Sequence, residues 1–100
     1  MSVIVTVRMN GNPESFRNFV ETQGDALSAI SEDARGKGCL HHRHALCDGY
    51  VLVVDEWASA EAFQGFFAGN EAIESVMSGF DVQGDPEISI GEALDSPDTY

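Results

Sequence analysis

The sequence predicts an α+β domain in which two helical regions alternate with four strands, in the order β-α-β-β-α-β. Four segments have the alternating, β-branched pattern of strands, and they cover residues 2–9, 39–47, 50–57 and 87–92. Two further segments, 13–36 and 59–78, carry apolar residues at helical spacing. Asp48-Gly49 separates the two middle strands and is a strong hairpin signal. This order is the ferredoxin-like arrangement, with one four-stranded sheet and the helices on one face.

Length and charge limit the classes of protein that the chain can belong to. Its 100 residues predict a single domain, 1–100, whose residues 93–100 form a polar tail. Seventeen acidic and five basic residues give a net charge of −12, and all five basic residues lie before residue 45. Such a charge disfavours nucleic acids and anionic membranes as partners. With no apolar run long enough for a membrane span and no export signal, we expect a cytoplasmic protein.

Boundary signals delimit the first strand and the helical region that follows it. Val3, Val5 and Val7 alternate with Ile4 along the strand, which ends at Asn10-Gly11. Asn12-Pro13 predicts an N-cap followed by proline at the first helical position. Gly24-Asp25 interrupts the helical pattern, so we expect two pieces, and the region ends at residues 36–38.

The second half of the chain contains similar signals. Ser59 is the predicted N-cap of the second helical region, and Gly69-Asn70 predicts a break within it. Residues 79–86 form a loop, and Ile88 and Ile90 share one face of the last strand. Cys39 and Cys47 lie at the two ends of one predicted strand, too far apart for a disulfide bond.

The strand at 50–57 is apolar on both faces. Val51 and Val53 point one way while Leu52 and Val54 point the other, as in a strand that is buried on both sides. Two helical regions cover only one face of a sheet, and the chain is too short to supply another layer. We therefore predict a homodimer, a dimeric α/β barrel in which the two sheets face each other.

The turn at Asp48-Gly49 also predicts how the two hairpin strands pair. In this register His44 faces Val53, His42 faces Asp55, and Leu40 faces Trp57. A bulge in the turn would change the assignment. Otherwise His42, His44, Asp55 and Trp57 share one face, and the other face carries His41, Arg43, Ala45 and Glu56.

His42 and Asp55 are thus predicted to be cross-strand neighbours beside Trp57. A carboxylate next to an imidazole fixes the tautomer of the ring and makes it a stronger base, which suits removal of a proton from a phenol. A second interpretation is a His–Asp hydrogen bond that only satisfies two buried polar groups. A third is a metal-dependent site in which His42, His44 and Asp55 form a two-histidine, one-carboxylate ligand set.

Residues 54–63, with the sequence VDEWASAEAF, resemble the strand, Trp and Ser-x-x-x-Phe helix segment of the antibiotic biosynthesis monooxygenase-like superfamily. The resemblance implies a dimeric α/β barrel over residues 2–92, with Trp57 as the tryptophan that lines the cleft between sheet and helices. The superfamily includes cofactor-free quinone-forming monooxygenases and haem-degrading enzymes. Haem-degrading members also have an Asn on the first strand and a His on the second helix, and this chain has neither there.

The resemblance and the predicted site together indicate a cofactor-independent monooxygenase acting on a small aromatic or polyketide-type compound, with no cofactor and no metal. His42 would be the base and Asp55 the residue that orients it. The predicted substrate-binding residues are Trp57, His44, Phe63, Phe66, Phe67 and Arg8. The phenylalanines also fit a plain core, and Arg8 also fits a salt bridge to the acidic second half. The alternative function is a non-catalytic small-ligand binder on the same dimeric scaffold.

Overall fold

The computed structural model describes residues 1–100 as one four-stranded sheet with four helices. The strands are β1 (Val3–Asn10), β2 (Cys39–Leu46), β3 (Tyr50–Trp57) and β4 (Glu87–Glu92), and the helices are α1 (Pro13–Thr22), α2 (Gly24–Gly36), α3 (Ala60–Phe67) and α4 (Glu71–Gly79). The strands lie in the order β2-β3-β1-β4, and all neighbours are antiparallel. The predicted α+β, ferredoxin-like order is confirmed. The dimeric barrel stays a prediction.

Both predicted breaks in the helical regions are confirmed, so the helical layer consists of four short helices. The Asn12 side chain accepts a hydrogen bond from the backbone N–H of Glu14 at 2.9 Å, and Pro13 is the first helical residue. Ser59 Oγ accepts one from the N–H of Ala62 at 3.1 Å. Asn70 caps α4 in the same way. These caps satisfy backbone donors that a helix cannot satisfy within its first turn.

The hydrophobic core lies between the sheet and the helices. Val5 and Val7 of β1 and Val51 of β3 are almost fully buried there, together with large rings such as Phe16 and Trp57. The alternate residues of the same strands point to the opposite side, which no part of the chain covers. We call this side the open face; it carries Ile4, Thr6, Arg8, His41, Arg43, Ala45, Tyr50, Leu52, Val54 and Glu56.

The predicted hairpin register is confirmed from His41 to Leu46 and wrong at Leu40. His42 pairs with Asp55 and His44 pairs with Val53, as expected. A bulge between Cys39 and His41 makes Cys39 the partner of Trp57, and it leaves Leu40 53% exposed. Because the bulge lies at the end of β2 away from the turn, the faces of the three histidines are unaffected.

Both cysteines are free thiols, one at each end of β2. Cys39 is buried, and burial, together with the negative charge of Asp55, raises its pKa to about 11. Its thiol therefore stays protonated and unreactive at neutral pH. Among the helices, none has the length and apolar character required to cross a membrane.

Candidate functional site

An apolar cavity of about 100 Å³ lies between the sheet and the helices. Its floor is formed by residues of β1 and β3 such as Val7, Met9 and Val53, and its roof by residues of all four helices. Four polar residues line it, and three of them come from the predicted site. They are His42, His44, Asp55 and Ser31.

A chain of three side chains runs along the wall of this cavity. The Nδ1 atom of His42 lies 2.6 Å from Oδ1 of Asp55. The indole N–H of Trp57 donates to the other oxygen of Asp55, Oδ2, at 3.1 Å. The β2–β3 register places His42 opposite Asp55, and the two-residue alternation places Trp57 on the same face. The hairpin therefore positions all three groups.

The donors and acceptors of this chain determine which histidine nitrogen is free. An ionised carboxylate only accepts hydrogen bonds and an indole N–H only donates, so both oxygens of Asp55 act as acceptors. Nδ1 of His42 must then carry the hydrogen that lies between it and Asp55. The lone pair of the neutral ring is consequently on Nε2. Asp55 is nearly buried, whereas the His42 side chain is 36% exposed, so solvent and ligands can reach this imidazole.

His44 lies next to the chain but makes no hydrogen bond to it. Its ring packs against Phe16, with centroids 4.9 Å apart, and against the ring of His42, edge to face, at 4.6 Å. Burial of this inner side and the neighbouring His42 lower the pKa of His44 to about 4, against an opposing effect of Asp55. Because β2 is an edge strand, the outer side of the ring meets solvent, which screens part of this effect. His44 is a neutral imidazole at pH 7.

The predicted aromatic residues form one wall of the cavity. The ring of Trp57 lies 5.2 Å from that of Phe66 and 5.6 Å from that of Phe63, and Phe63 stacks on Phe67 at 5.3 Å. These distances are typical of favourable aromatic pairs in a core. The phenylalanines are therefore part of the hydrophobic core and also line the cavity, so the two interpretations of them are compatible.

Arg8 does not reach the cavity, unlike the other predicted site residues. It lies on the open face, where its guanidinium carbon is 3.7 Å from the centre of the Tyr50 ring. Its Nε donates to Oδ1 of Asn10 at 3.0 Å and lies 3.8 Å from Oε2 of Glu87. The structure favours the salt bridge to the acidic second half of the chain. Arg8 is not part of the cavity lining, and its role in substrate binding stays a prediction.

Several lining residues lie outside the segments that predicted the site. Phe16 of α1, Leu27 and Ser31 of α2, and Met77 of α4 all contribute to the cavity surface. The apolar ones belong to the helical stripes, which indicate a buried face but do not distinguish core from cavity. The sequence gives no indication that Ser31 lines a cavity, because a single serine on a helix is equally common at solvent-exposed positions.

The geometry does not support a metal-dependent site. No group of three or more His, Cys, Asp or Glu side chains is arranged to hold a metal ion. His42 is hydrogen-bonded to Asp55, and the ring of His44 lies edge to face against that of His42. The two-histidine, one-carboxylate ligand set considered above is not assembled in this structure.

Fold and site together define a ferredoxin-like α+β protein with a polar chain of His42, Asp55 and Trp57 at an apolar cavity. No family model and no curated protein matches the sequence. Solved structures do match, and one is a proposed antibiotic biosynthesis monooxygenase from Deinococcus radiodurans, with 20% identity, 98% of each chain covered and a TM-score of 0.65. Another is SnoaB, a cofactor-independent oxygenase from Streptomyces nogalater, with 13% identity, 98% of each chain covered and a TM-score of 0.63.

A third similar structure is the monooxygenase ActVA-Orf6 of Streptomyces coelicolor in complex with the ligand nanaomycin D. It is 22% identical to this chain, the match covers 95% of this chain and 92% of the other, and the TM-score is 0.64. Identities this low establish a common fold. The fold that the resemblance implies is thereby confirmed over nearly the whole chain.

Proposed function

We propose that this protein is a cofactor-independent monooxygenase that acts on a small aromatic compound. The observation that carries the proposal is the imidazole of His42, held by Asp55 at 2.6 Å, at the wall of an apolar cavity. A base in such a place can take a proton from a phenol while the cavity keeps water away from the anion that forms. The fold shared with a cofactor-independent oxygenase and with a ligand-bound monooxygenase gives independent support.

The reaction requires a base and a shaped cavity. Nε2 of His42 accepts the phenolic proton, and the ring carbon opposite the oxygen gains carbanion character. That carbon donates electrons to O₂ and forms a C–O bond. The peroxide that results takes the proton back from Nε2 of His42, which gives a hydroperoxide and a neutral imidazole. Loss of water from the hydroperoxide leaves a carbonyl, so one oxygen atom enters the product quinone and the other leaves as water with two substrate hydrogens. The substrate supplies all four electrons.

Trp57 is a positioning residue in this proposal. Its only hydrogen-bond donor is already committed to Asp55 at 3.1 Å, and its side chain is 1% exposed. Trp57 therefore fixes the carboxylate, and the carboxylate fixes the tautomer of His42. We expect Trp57→Phe to lower kcat and to shift the pH profile of kcat. A loss of packing alone would lower kcat equally at every pH.

A homodimer is part of the same proposal. Ile4 and Val54 on the open face are 39% and 38% exposed, and β2 is an uncovered edge strand. Exposed apolar patches and free sheet edges are typical of surfaces that bind another chain. A second copy would cover both. Sedimentation equilibrium at micromolar concentration tests this, and a monomer under those conditions would contradict it.

The decisive experiment uses two neighbouring histidines on opposite faces of β2. Oxygen uptake is measured with a panel of anthrones and of phenols that carry hydrogen on the carbon opposite the hydroxyl, for the wild type, His42→Ala and the matched control His41→Ala. We expect one O₂ consumed per quinone formed, a rate about 10²–10⁴-fold lower in His42→Ala, and a nearly unchanged rate in His41→Ala. Equal rates in the wild type and His42→Ala would reject His42 as the base.

The same panel separates the alternative function from the proposed one. A non-catalytic small-ligand binder on this scaffold would bind a phenol saturably and consume no oxygen. The observation that favours this alternative is that no buried side-chain N or O atom lacks a hydrogen-bond partner. A His–Asp–Trp chain that only satisfies its own members would also meet this condition.

A further inference from the structure

We infer that the cavity is built for an uncharged, single-ring phenol, and that both three-ring substrates and carboxylate-bearing phenols are excluded. The inference concerns the ligand class of the site and rests on the proposed function only for the reaction that follows binding. It depends on two independent observations, the volume of the cavity and the charges along its lining.

The volume limits the number of rings. The cavity measures about 100 Å³. An engineered cavity of about 150 Å³ in a protein core binds benzene, whereas sites for drug-sized ligands have about 300–1,000 Å³. One aromatic ring fits after small adjustments of side chains. A flat three-ring ligand requires several times the space present.

The aromatic wall does not supply the missing space. Trp57 contacts both Phe63 and Phe66, and Phe63 stacks on Phe67, so that no one of these rings moves without disturbing another. Displacing such rings opens voids in a close-packed core, which destabilises it. The lining residue most able to yield is Met77 of α4, which is half-buried and unbranched. The largest ligand that the cavity can hold is therefore expected to depend on the size of the side chain at position 77.

The charges along the lining exclude anionic ligands. Asp55 is 8% exposed, and the lining contains no Arg or Lys. Four of the five basic residues are paired with acids, in the salt bridges Arg8–Glu87, Arg17–Glu14, Arg35–Glu32 and Lys37–Asp33, and Arg43 lies on the open face. Lys37 is the one nearest to the cavity, with its Nζ 6.0 Å from the centre of the Phe66 ring, but its charge is paired with Asp33 at 3.1 Å. A ligand carboxylate would enter the cavity beside a buried negative charge with no cation to balance it. Such burial is unfavourable.

The test follows the NMR signal of the Trp57 indole N–H, because this is the single tryptophan of the chain. Phenol, 4-hydroxybenzamide and its charged counterpart 4-hydroxybenzoate are titrated into the protein at pH 7.5, followed by 2-naphthol and anthrone. We expect saturable shifts with phenol and 4-hydroxybenzamide. The affinity for 4-hydroxybenzoate should be lower than that for 4-hydroxybenzamide by about tenfold or more.

Variants of Met77 test the size limit. Met77→Ala should bind 2-naphthol about tenfold more tightly than the wild type, and the volume-matched control Met77→Leu should not. Phe67→Leu is a second enlarging variant should Met77→Ala fail to fold.

The outcomes separate this inference from the proposed function. Binding in the expected order without oxygen uptake would support the ligand class and reject the monooxygenase. An affinity for anthrone that equals or exceeds that for phenol would overturn the size limit, and oxygen uptake with anthrone that is lost in His42→Ala would at the same time support the monooxygenase. Equal affinity for 4-hydroxybenzoate and 4-hydroxybenzamide would overturn the charge rule. No shift with any single-ring phenol would overturn the inference as a whole.

Discussion

The two faces of the sheet are built from similar residues and lie in different surroundings. On β1, Val5 is fully buried under the helices, while its neighbour Ile4 is 39% exposed. On β3, Val51 is fully buried and Val54 is 38% exposed. Hydrophobicity therefore does not by itself determine burial. Strand alternation assigns each side chain to a face, and the layer above that face decides whether water is removed.

The same division separates the polar residues. His42 points under the helices and bonds to Asp55, while the adjacent His41 lies on the open face with Arg43 and Glu56. Histidines that are neighbours in sequence thus meet different partners and different amounts of solvent. Paired substitutions on the two faces are consequently the most direct way to probe how the sheet is used.

The largest contrast is expected between Val5→Asp and Ile4→Asp. An unpaired carboxylate at Val5 would be buried in an apolar core, which costs several kcal/mol out of a total of about 5–15 kcal/mol for a typical domain. We expect Val5→Asp to be largely unfolded by circular dichroism at 25 °C. Ile4→Asp should keep the native spectrum and abolish the proposed dimer. A folded Val5→Asp variant with the wild-type melting temperature would contradict the assignment of faces.

A smaller contrast is expected in the pH dependence of stability. The pKa of His44 falls from 6.5 to about 4 on folding, so the unfolded chain takes up the proton first as the pH drops. The free energy of unfolding should therefore decrease between pH 6.5 and pH 4 and lose nothing more from His44 below that. His44→Gln should flatten this part of a urea-unfolding series, and His41→Gln on the open face should not. An identical slope in the two variants would reject the shift.

The smallest effect is expected for Arg8→Ala on the open face. Arg8 and Glu87 are both substantially exposed and 3.8 Å apart, and such pairs contribute about 0.2–1 kcal/mol. The stacking on Tyr50 adds a comparable amount. The melting temperature should fall by a few degrees, with phenol binding at the cavity unchanged. A loss of phenol affinity in Arg8→Ala would restore Arg8 to the site.

The hairpin explains why much of the site could be predicted from the sequence. A two-residue turn at Asp48-Gly49 fixes the register of the hairpin, so the cross-strand partners of His42 and His44 can be assigned by counting residues from the turn. Leu40 lies beyond the bulge, where one extra residue breaks the count. Arg8 was assigned to the correct face of β1, but the side chains that it meets there depend on where β4 pairs, and no local pattern encodes this.

The cavity itself could not be predicted, for a physical reason. Periodicity shows that Phe16, Leu27 and Met77 are buried, but not whether their side chains fill the space between layers or leave a gap. A gap of this size is the small difference between the volume enclosed by the sheet and helices and the volume of the side chains that fill it. It depends on how four separate elements pack against the sheet, and this is a property of tertiary structure alone.

The division of the helical layer at Gln23 and at residues 68–70 has a consequence for motion. The floor of the cavity is a continuous sheet whose central strands are hydrogen-bonded on both sides, whereas its roof consists of four helices of eight to thirteen residues. Short helices unfold locally at much lower free energy than a central strand does. Breathing of one roof segment at a time can therefore admit a ligand while the central strands, which carry Asp55 and Trp57, stay in place.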